Sequence, residues 1–336
     1  MKKNGFNVKD NSKKLDTLNP NFCSIKIVDG CFFKCIMCNY WKKKSLNKLS
    51  LEKYSAIVKD LKIINKNMLV SFYGGEPLMN KNVFEFISLT TKHNLKSAIC
   101  TNAYLLDNKK IELLDKSGLT HLYISIDGAT KDTHDFIRGK KGSFEKIIET
   151  LKLVKNKSFY VSLTLVIMKQ NLHEVVDFVK WANKIQHVKE ISLQILDQPY
   201  NTIQEEYWYR NPIYSSLWPQ DFELLKNTFK KLISLKGNPH NKIKQTIAQL
   251  KNYEQYYLYP EIFIKKKTKC NASNEIFNIY DNGDVMICTK MSPIGNIYKN
   301  NLTEIWNSNK STNTRLKMKQ CKTNCIQVLT NAYTEE

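Results

Sequence analysis

The stretch CSIKIVDGCFFKCIMCNYW, residues 23–41, decides the fold. Its first six residues place apolar side chains at every second position, the period of a strand. Directly after them, Cys31, Cys35 and Cys38 fall within eight residues at C-x3-C-x2-C spacing. A tetrahedral zinc site would take a fourth nearby Cys or His, and none follows. Three thiolates can hold three irons of a cubane cluster and leave the fourth iron open to another ligand. Core cysteines, or half of a zinc site, are the other readings of the triplet.

Working outward, five more β-rich runs follow: MLVSFY (68–73), SAICT (97–101), LTHLYISI (119–126), FYVSLTLVIM (159–168) and VKEISLQIL (188–196). Between them lie segments with helical spacing, such as LEKYSAIVKDLKIIN and NLHEVVDFVKWANKI; NKKIELLDKSG ends at Gly118 as a helix should. Six strands with five intervening helices predict βα units and a parallel sheet. Right-handed crossovers leave an open doubly wound sheet or an incomplete barrel. In either, ligands bind beyond the carboxyl ends of the strands, where the cysteine triplet falls. Cys23 and Cys100 lie within strands and read as core residues.

The pattern changes after about residue 197. Residues 198–219 are rich in Tyr, Trp and Asn, and two helical stretches follow, at 221–236 and 241–257. From Cys270 a small unit begins, in which EIFNIYDNGDVMIC reads as a hairpin with Asn-Gly at its turn. NLTEIWNS predicts a short helix, and the tail carries CKTNC.

A chain of 336 residues with 42% hydrophobic content and 8 prolines describes a globular protein. It has no apolar run long enough for a membrane span and no h-region of a signal peptide, so a cytoplasmic location is expected. Nine cysteines there point to metal ligation more than to disulfides. The net charge of +21 is almost all lysine, with only Arg138, Arg210 and Arg315 as arginines. Nucleic-acid binders usually add arginine for bidentate contacts, so nucleic acid is not the expected partner.

The triplet after the first strand, with Met37 before its last cysteine, resembles the signature of the radical S-adenosylmethionine (SAM) superfamily. YGGEP (73–77) ends the second strand as the family's Gly-Gly-Glu segment does, and TNA (101–103) stands where related sequences often have Thr-Asn-Gly. ISIDGATKDTHDFIRGKKGSFEKI (124–147) is similar to the fourth-strand region of the subgroup with a C-terminal extension. Cys270, Cys288, Cys321 and Cys325, as C-x12-G-x4-C and then C-x3-C, resemble the SPASM/twitch extension. The resemblance spans roughly residues 23–197 and 268–330.

What it implies is an α/β fold, a partial (β/α)6 radical SAM barrel with a small C-terminal α+β iron–sulfur domain. The expected divisions are a tail (1–22), the radical SAM core (23–197), an aromatic-rich and helical connection (198–267) and the auxiliary cluster domain (268–336). Cys31, Cys35 and Cys38 would hold a [4Fe–4S] cluster with an open iron. SAM would be met by Met37, Gly74, Gly75, Glu76, Asn102, Ser125 and Arg138. The Gly-Gly-Glu backbone and carboxylate would face its ammonium group, and Ser125 and Arg138 its carboxylate and ribose. Residues 166–174 and Gln194 are further candidates for the pocket wall. Cys270, Cys288, Cys321 and Cys325 would hold one auxiliary [4Fe–4S] cluster, with zinc as the other reading of the four. The tail spacing C-x3-C departs from the commoner C-x2-C.

The activity implied is reductive cleavage of SAM to a 5′-deoxyadenosyl radical that abstracts hydrogen from a substrate, with the auxiliary cluster accepting an electron. The implied partners are a small-molecule or peptide substrate, an electron donor such as flavodoxin or ferredoxin, and a separate peptide-recognition protein. With 22 residues before the first strand, a recognition domain of the chain's own is not expected there. The substrate is read as a sugar or aminocyclitol alcohol, or as a ribosomal peptide. The 17 residues between Cys270 and Cys288 resemble the alcohol dehydrogenases of the group. Thr289 stands where the sulfatase-maturing branch has Asp. The residues leave the catalytic base unassigned; Tyr73, Tyr207, Tyr209 and Arg210 are pocket candidates. The rival from another class is a zinc-stabilised nucleic-acid-binding protein using YWYRNPIYSSLW (207–218) as its aromatic face.

Overall fold

The alternating runs form strands and the helical spacings form helices in a computed structural model describing residues 20–43, 49–199, 202, 203, 205, 207–261 and 272–321. The order is β1 (Phe22–Val28), α1 (Leu51–Ile64), β2 (Leu69–Gly74), α2 (Val83–Lys92), β3 (Lys96–Thr101), α3 (Asn108–Lys116) and β4 (His121–Ser125). Then come α4 (Lys131–Arg138), α5 (Ser143–Leu153), β5 (Tyr160–Ile167), α6 (Val175–Asn183) and β6 (Val188–Ile195). The remainder is α7 (Pro212–Ser215), α8 (Phe222–Lys236), α9 (Ile247–Leu258), α10 (Ala272–Glu275), β7 (Ile276–Ile279), β8 (Asp284–Met286), β9 (Gly295–Asn296), α11 (Leu302–Asn307) and α12 (Asn309–Lys319).

Strands β1 to β6 pair in sequence order and all in parallel. A doubly wound sheet reverses its order at a switch point. This one does not, so the choice falls to the incomplete barrel. Phe72 packs against Tyr54 of α1 and Phe86 of α2, which marks the helix-covered side of the sheet. The paired positions of the other parity, among them Ser71, Cys100, Ser125, Ser162, Thr164 and Ser192, line the inner face.

The C-terminal unit continues the sheet. β7 adds to the free edge of β1 in parallel, Phe22 opposite Ile276, and β8 and β9 follow antiparallel. The Asn282-Gly283 turn takes its predicted place, Gly283 adopting φ 87° where a β-carbon would strike Tyr298. α11 docks on the barrel through Asp60 of α1, whose carboxylate accepts from the Leu302 amide at 2.7 Å. Among the described residues no helix is long and apolar enough to cross a membrane.

The aromatic connection packs inward. Trp208 and Trp218 are buried, and Trp218 meets Tyr256 and Tyr257 of α9. Tyr257 Oη accepts from the Leu196 amide and donates to the Ile167 carbonyl, pinning the ends of β5 and β6. Tyr209 packs tilted against Trp218, while Arg210 pairs with Glu261 at the surface. Trp208 and Trp218, buried this way, are closed to bases, while Tyr207 remains exposed.

Candidate functional site

The loop after β1 carries the cysteine triplet across the mouth of the barrel, clamped from two sides. From the β2 side, the Gly75 and Glu76 amides donate to the Val28 and Gly30 carbonyls at 3.1 Å. A β-carbon on Gly75 would sit 1.9 Å from the Gly30 carbonyl oxygen, so only glycine allows this approach. From the other side comes the C-terminus of α4. The Ile36 amide donates to the Ile137 carbonyl at 2.9 Å, and Gly139, with φ 59°, closes the helix against the Lys34 carbonyl.

Cys35 is buried and Cys31 and Cys38 are half-buried, each within electrostatic reach of the others. Burial pushes the Cys31 thiol up to about 11 and Cys35 up to about 12, and raises Cys38 as well. Burial favours the neutral form of these thiols, and metal binding would have to displace their protons. Among the described residues no three Cys, His, Asp or Glu side chains converge on one ion. Three soft donors spread along a loop fit a multi-iron cluster better than mononuclear zinc. Met37 is half-buried and packs against the core.

The remaining candidates gather around that mouth. Glu76 is fully buried, and its carboxylate accepts from the Leu78 amide at 3.0 Å, the Thr101 hydroxyl at 2.7 Å and the Asn102 amide at 2.9 Å. Burial raises its pKa against the pull of those donors. It therefore binds the end of β2 to the end of β3. Gly74 has φ 146°, with a β-carbon position 2.0 Å from the Val28 carbonyl oxygen. Ala103 sits at φ 61°, the left-handed region that glycine takes freely, at a cost of about 1–2 kcal/mol. A glycine would take this conformation without that strain.

Arg138 ends α4, its Nε 2.7 Å from Oδ2 of Asp127, which has no exposed surface. The guanidinium also meets the Cys35 thiol. Asp127, just past β4, accepts from the Val166 amide at 2.8 Å, while its own amide donates to Nδ1 of His134 at 3.0 Å. The segment 166–174 braces this corner: Asn171 donates to the carbonyls of Asp127 and Val166, and Glu174 accepts from Ala129, Thr130 and Thr133. Gln194 donates to Ser192 on the inner face.

Cys100 corrects an expectation. It is not a core residue; its thiol lies on the inner face, half-buried, 3.7 Å from Ser125 Oγ and within the field of Arg138 and Glu76. Register decides this, because Ile99 takes the helix-covered side. Cys23 is fully buried as expected. In the C-terminal unit burial raises the Cys288 thiol's pKa, and the Cys321 sulfur lies within electrostatic reach of it; Cys270 and Cys325 lie outside the described residues. The sequence reading passed over Asp127, although it lies inside the motif that contains Ser125 and Arg138. It also missed α4, whose Thr130 cap and terminal Gly139 were the available signal.

His134 gives the corner a pH signature. It has no exposed surface, and burial and the neighbouring Arg138 hold its pKa down at about 3. The unfolded chain takes up a proton below about pH 6.5 that the folded chain refuses. This contribution is complete above that pH and is lost as pH falls toward 3. Between pH 6.5 and 5, wild type should lose about 2 kcal/mol more than His134→Gln. Urea unfolding of both proteins at the two pH values measures it.

Residues 25–182 match the family model of the radical SAM superfamily, and residues 270–326 match the SPASM iron–sulfur cluster-binding domain. The chain carries a radical SAM domain and a SPASM domain. Together they imply a [4Fe–4S] cluster and SAM at the barrel and auxiliary iron–sulfur in the C-terminal unit. The AdoMet-dependent heme synthase of Methanosarcina barkeri is 28% identical over 168 residues, 49% of this chain and 48% of that one. The sporulation killing factor maturation protein SkfB of Bacillus subtilis is 26% identical over 170 residues, 50% of this chain and 41% of that one. The PqqA peptide cyclase of Gluconobacter oxydans is 28% identical over 116 residues, 34% and 32% of the two. The chain thus spans about half or less of these relatives' length. In fold it resembles Streptococcus suis SuiB bound to S-adenosylmethionine, with TM-score 0.68, 16% identity, and 89% of this chain and 68% of that one covered.

Proposed function

We propose that this chain is a radical SAM enzyme that oxidatively modifies a peptide. The observation that carries the proposal is the clamped loop, which presents three thiols at the mouth of a barrel with a polar inner face. Cys31, Cys35 and Cys38 would hold a [4Fe–4S] cluster that, together with SAM, would supply radical chemistry able to abstract hydrogen from an unactivated C–H bond.

The chain's own residues bind, orient and exclude water. The Gly74–Gly75 backbone, with Glu76 held behind it, receives the ammonium group of SAM. Ser125 and the Arg138 corner receive its carboxylate and ribose, and Asn102 stands beside them. Cys270, Cys288, Cys321 and Cys325 would hold an auxiliary cluster, which would supply an electron acceptor. A flavodoxin or ferredoxin supplies the reducing electron.

Support for a peptide substrate comes from relatives named for peptide products, the PqqA peptide cyclase and the subtilosin biosynthesis protein AlbA of Bacillus subtilis. The heme synthase relatives favour a second reading, a small-molecule substrate. The test is anaerobic reconstitution of the full chain, reduction with dithionite and chromatographic measurement of 5′-deoxyadenosine. Formation of 5′-deoxyadenosine, followed by deuterium transfer into it from a labelled peptide, is the expected result. A cluster-loaded protein that leaves SAM intact would overturn the proposal, and transfer from a small molecule alone would select the second reading.

A further inference from the structure

Lys26 stands in the middle of β1, on the face opposite Ile25 and Ile27, in a strand that is otherwise almost wholly apolar. It is 5% exposed, so its ammonium group must find its partners inside the protein. It finds two carboxylates. One is Asp29, 6% exposed, two residues before Cys31. The other is Asp281, 3.2 Å away, in the turn between β7 and β8 that leads to Cys288. Two rings complete the enclosure: Tyr40, two residues past Cys38, at 5.1 Å from Nζ, and Tyr280 at 6.0 Å. Tyr280 is in turn hydrogen-bonded to Tyr73, next to Gly74, and lies within electrostatic reach of the Cys288 sulfur. A single ammonium group thus touches both ends of the cysteine loop and the turn on the way to the C-terminal cysteines.

We propose that Lys26 is a positioning residue that fixes the C-terminal cysteine hairpin against the cysteine loop of the barrel, acting through Asp29 and Asp281. The assignment of iron–sulfur clusters to these two loops rests on the proposed function; the coupling of the loops does not. Backbone pairing to β1 secures β7, and Asp60 secures α11. The turn at 280–283 meets the barrel through Lys26 and through the Tyr280–Tyr73 bond. Lys26 is enclosed on all these sides, so its action on a substrate passes through the loops it holds. A buried cation with two carboxylates is a directional lock, and removing one leg should free the loop attached to that leg.

The experiment is amide hydrogen exchange by mass spectrometry on the full chain, before and after anaerobic reconstitution. Asp281→Asn keeps the Lys26–Asp29 pair and should speed exchange of residues 280–287 about tenfold, with β3 to β5 unchanged. Lys26→Met should speed exchange in both 29–40 and 280–287, and Lys26→Arg should largely restore protection. After reconstitution, Asp281→Asn should release iron from the C-terminal site to a chelator faster, with the barrel site unaffected. Exchange of 280–287 within about twofold of wild type in Asp281→Asn would overturn the proposal even if Lys26→Met fails to fold. A wild-type chain that binds no iron would overturn the proposed function, while the exchange result would still decide the role of Lys26.

Discussion

Replacing Arg138 by methionine is expected to destabilise the chain by about 3–5 kcal/mol, the loss typical of breaking a buried ion pair from one side. Asp127 has no exposed surface, and without the guanidinium its carboxylate would stay buried with the Val166 amide as its remaining donor among the bonds described here. The neighbouring structure cannot give way easily, because Gly139 is pressed against the Lys34 carbonyl and Ile36 is tied to Ile137. The damage should therefore spread to the cysteine loop. Urea denaturation followed by tryptophan fluorescence measures the loss. The double variant Arg138→Met, Asp127→Asn should recover a large part of it, since neither charge is then left alone. Losses that simply add would show that the two groups are not coupled.

The second large effect concerns metal content. After anaerobic reconstitution, wild type should hold about eight irons and the Cys31, Cys35, Cys38→Ala variant about four, because on the proposed function the two cysteine groups would form separate clusters. The structure supports separate groups: the triplet lies between β1 and α1, whereas Cys288 and Cys321 lie in the C-terminal unit. Iron and sulfide analysis with visible spectroscopy is the measurement. About four irons in wild type, all lost in the variant, would remove the auxiliary cluster from the proposed function. Stoichiometric zinc with no stable iron would sink the iron–sulfur reading and promote a zinc-stabilised binding protein.

Both predictions begin from residues that local sequence could single out. The triplet stands out by spacing, and Arg138 by the scarcity of arginine. Their partners do not stand out. Asp127 is one of many acidic residues and becomes a counter-ion only because β4 and α4 meet at a corner. Glu76 was legible as part of Gly-Gly-Glu, yet its three donors come from β3 and from the turn after β2. Lys26 looked like the polar half of an ordinary alternating strand. Cys100 looked like a core thiol, because a half-buried strand position has the same local signature on either face of a sheet.

The sequence by itself determined the strands and most helices, the place of the cysteine loop after the first strand, the hairpin turn at Asn282-Gly283 and the chemical class of the donor groups. These follow from short-range rules, the periods of two and 3.6 residues and the conformational freedom of glycine, which act within a few residues. Strand periodicity left a doubly wound sheet and an incomplete barrel both open, the family resemblance implied the barrel, and the strand order settles it; only the tertiary structure decided that β7 completes the edge of β1 and that Cys100 faces the inner wall. It alone placed Asp127 beside Arg138 and Lys26 between Asp29 and Asp281. Those facts depend on register and on contacts between residues as far apart as 26 and 281, and burial makes each contact matter by removing the water that would otherwise stand in for the partner.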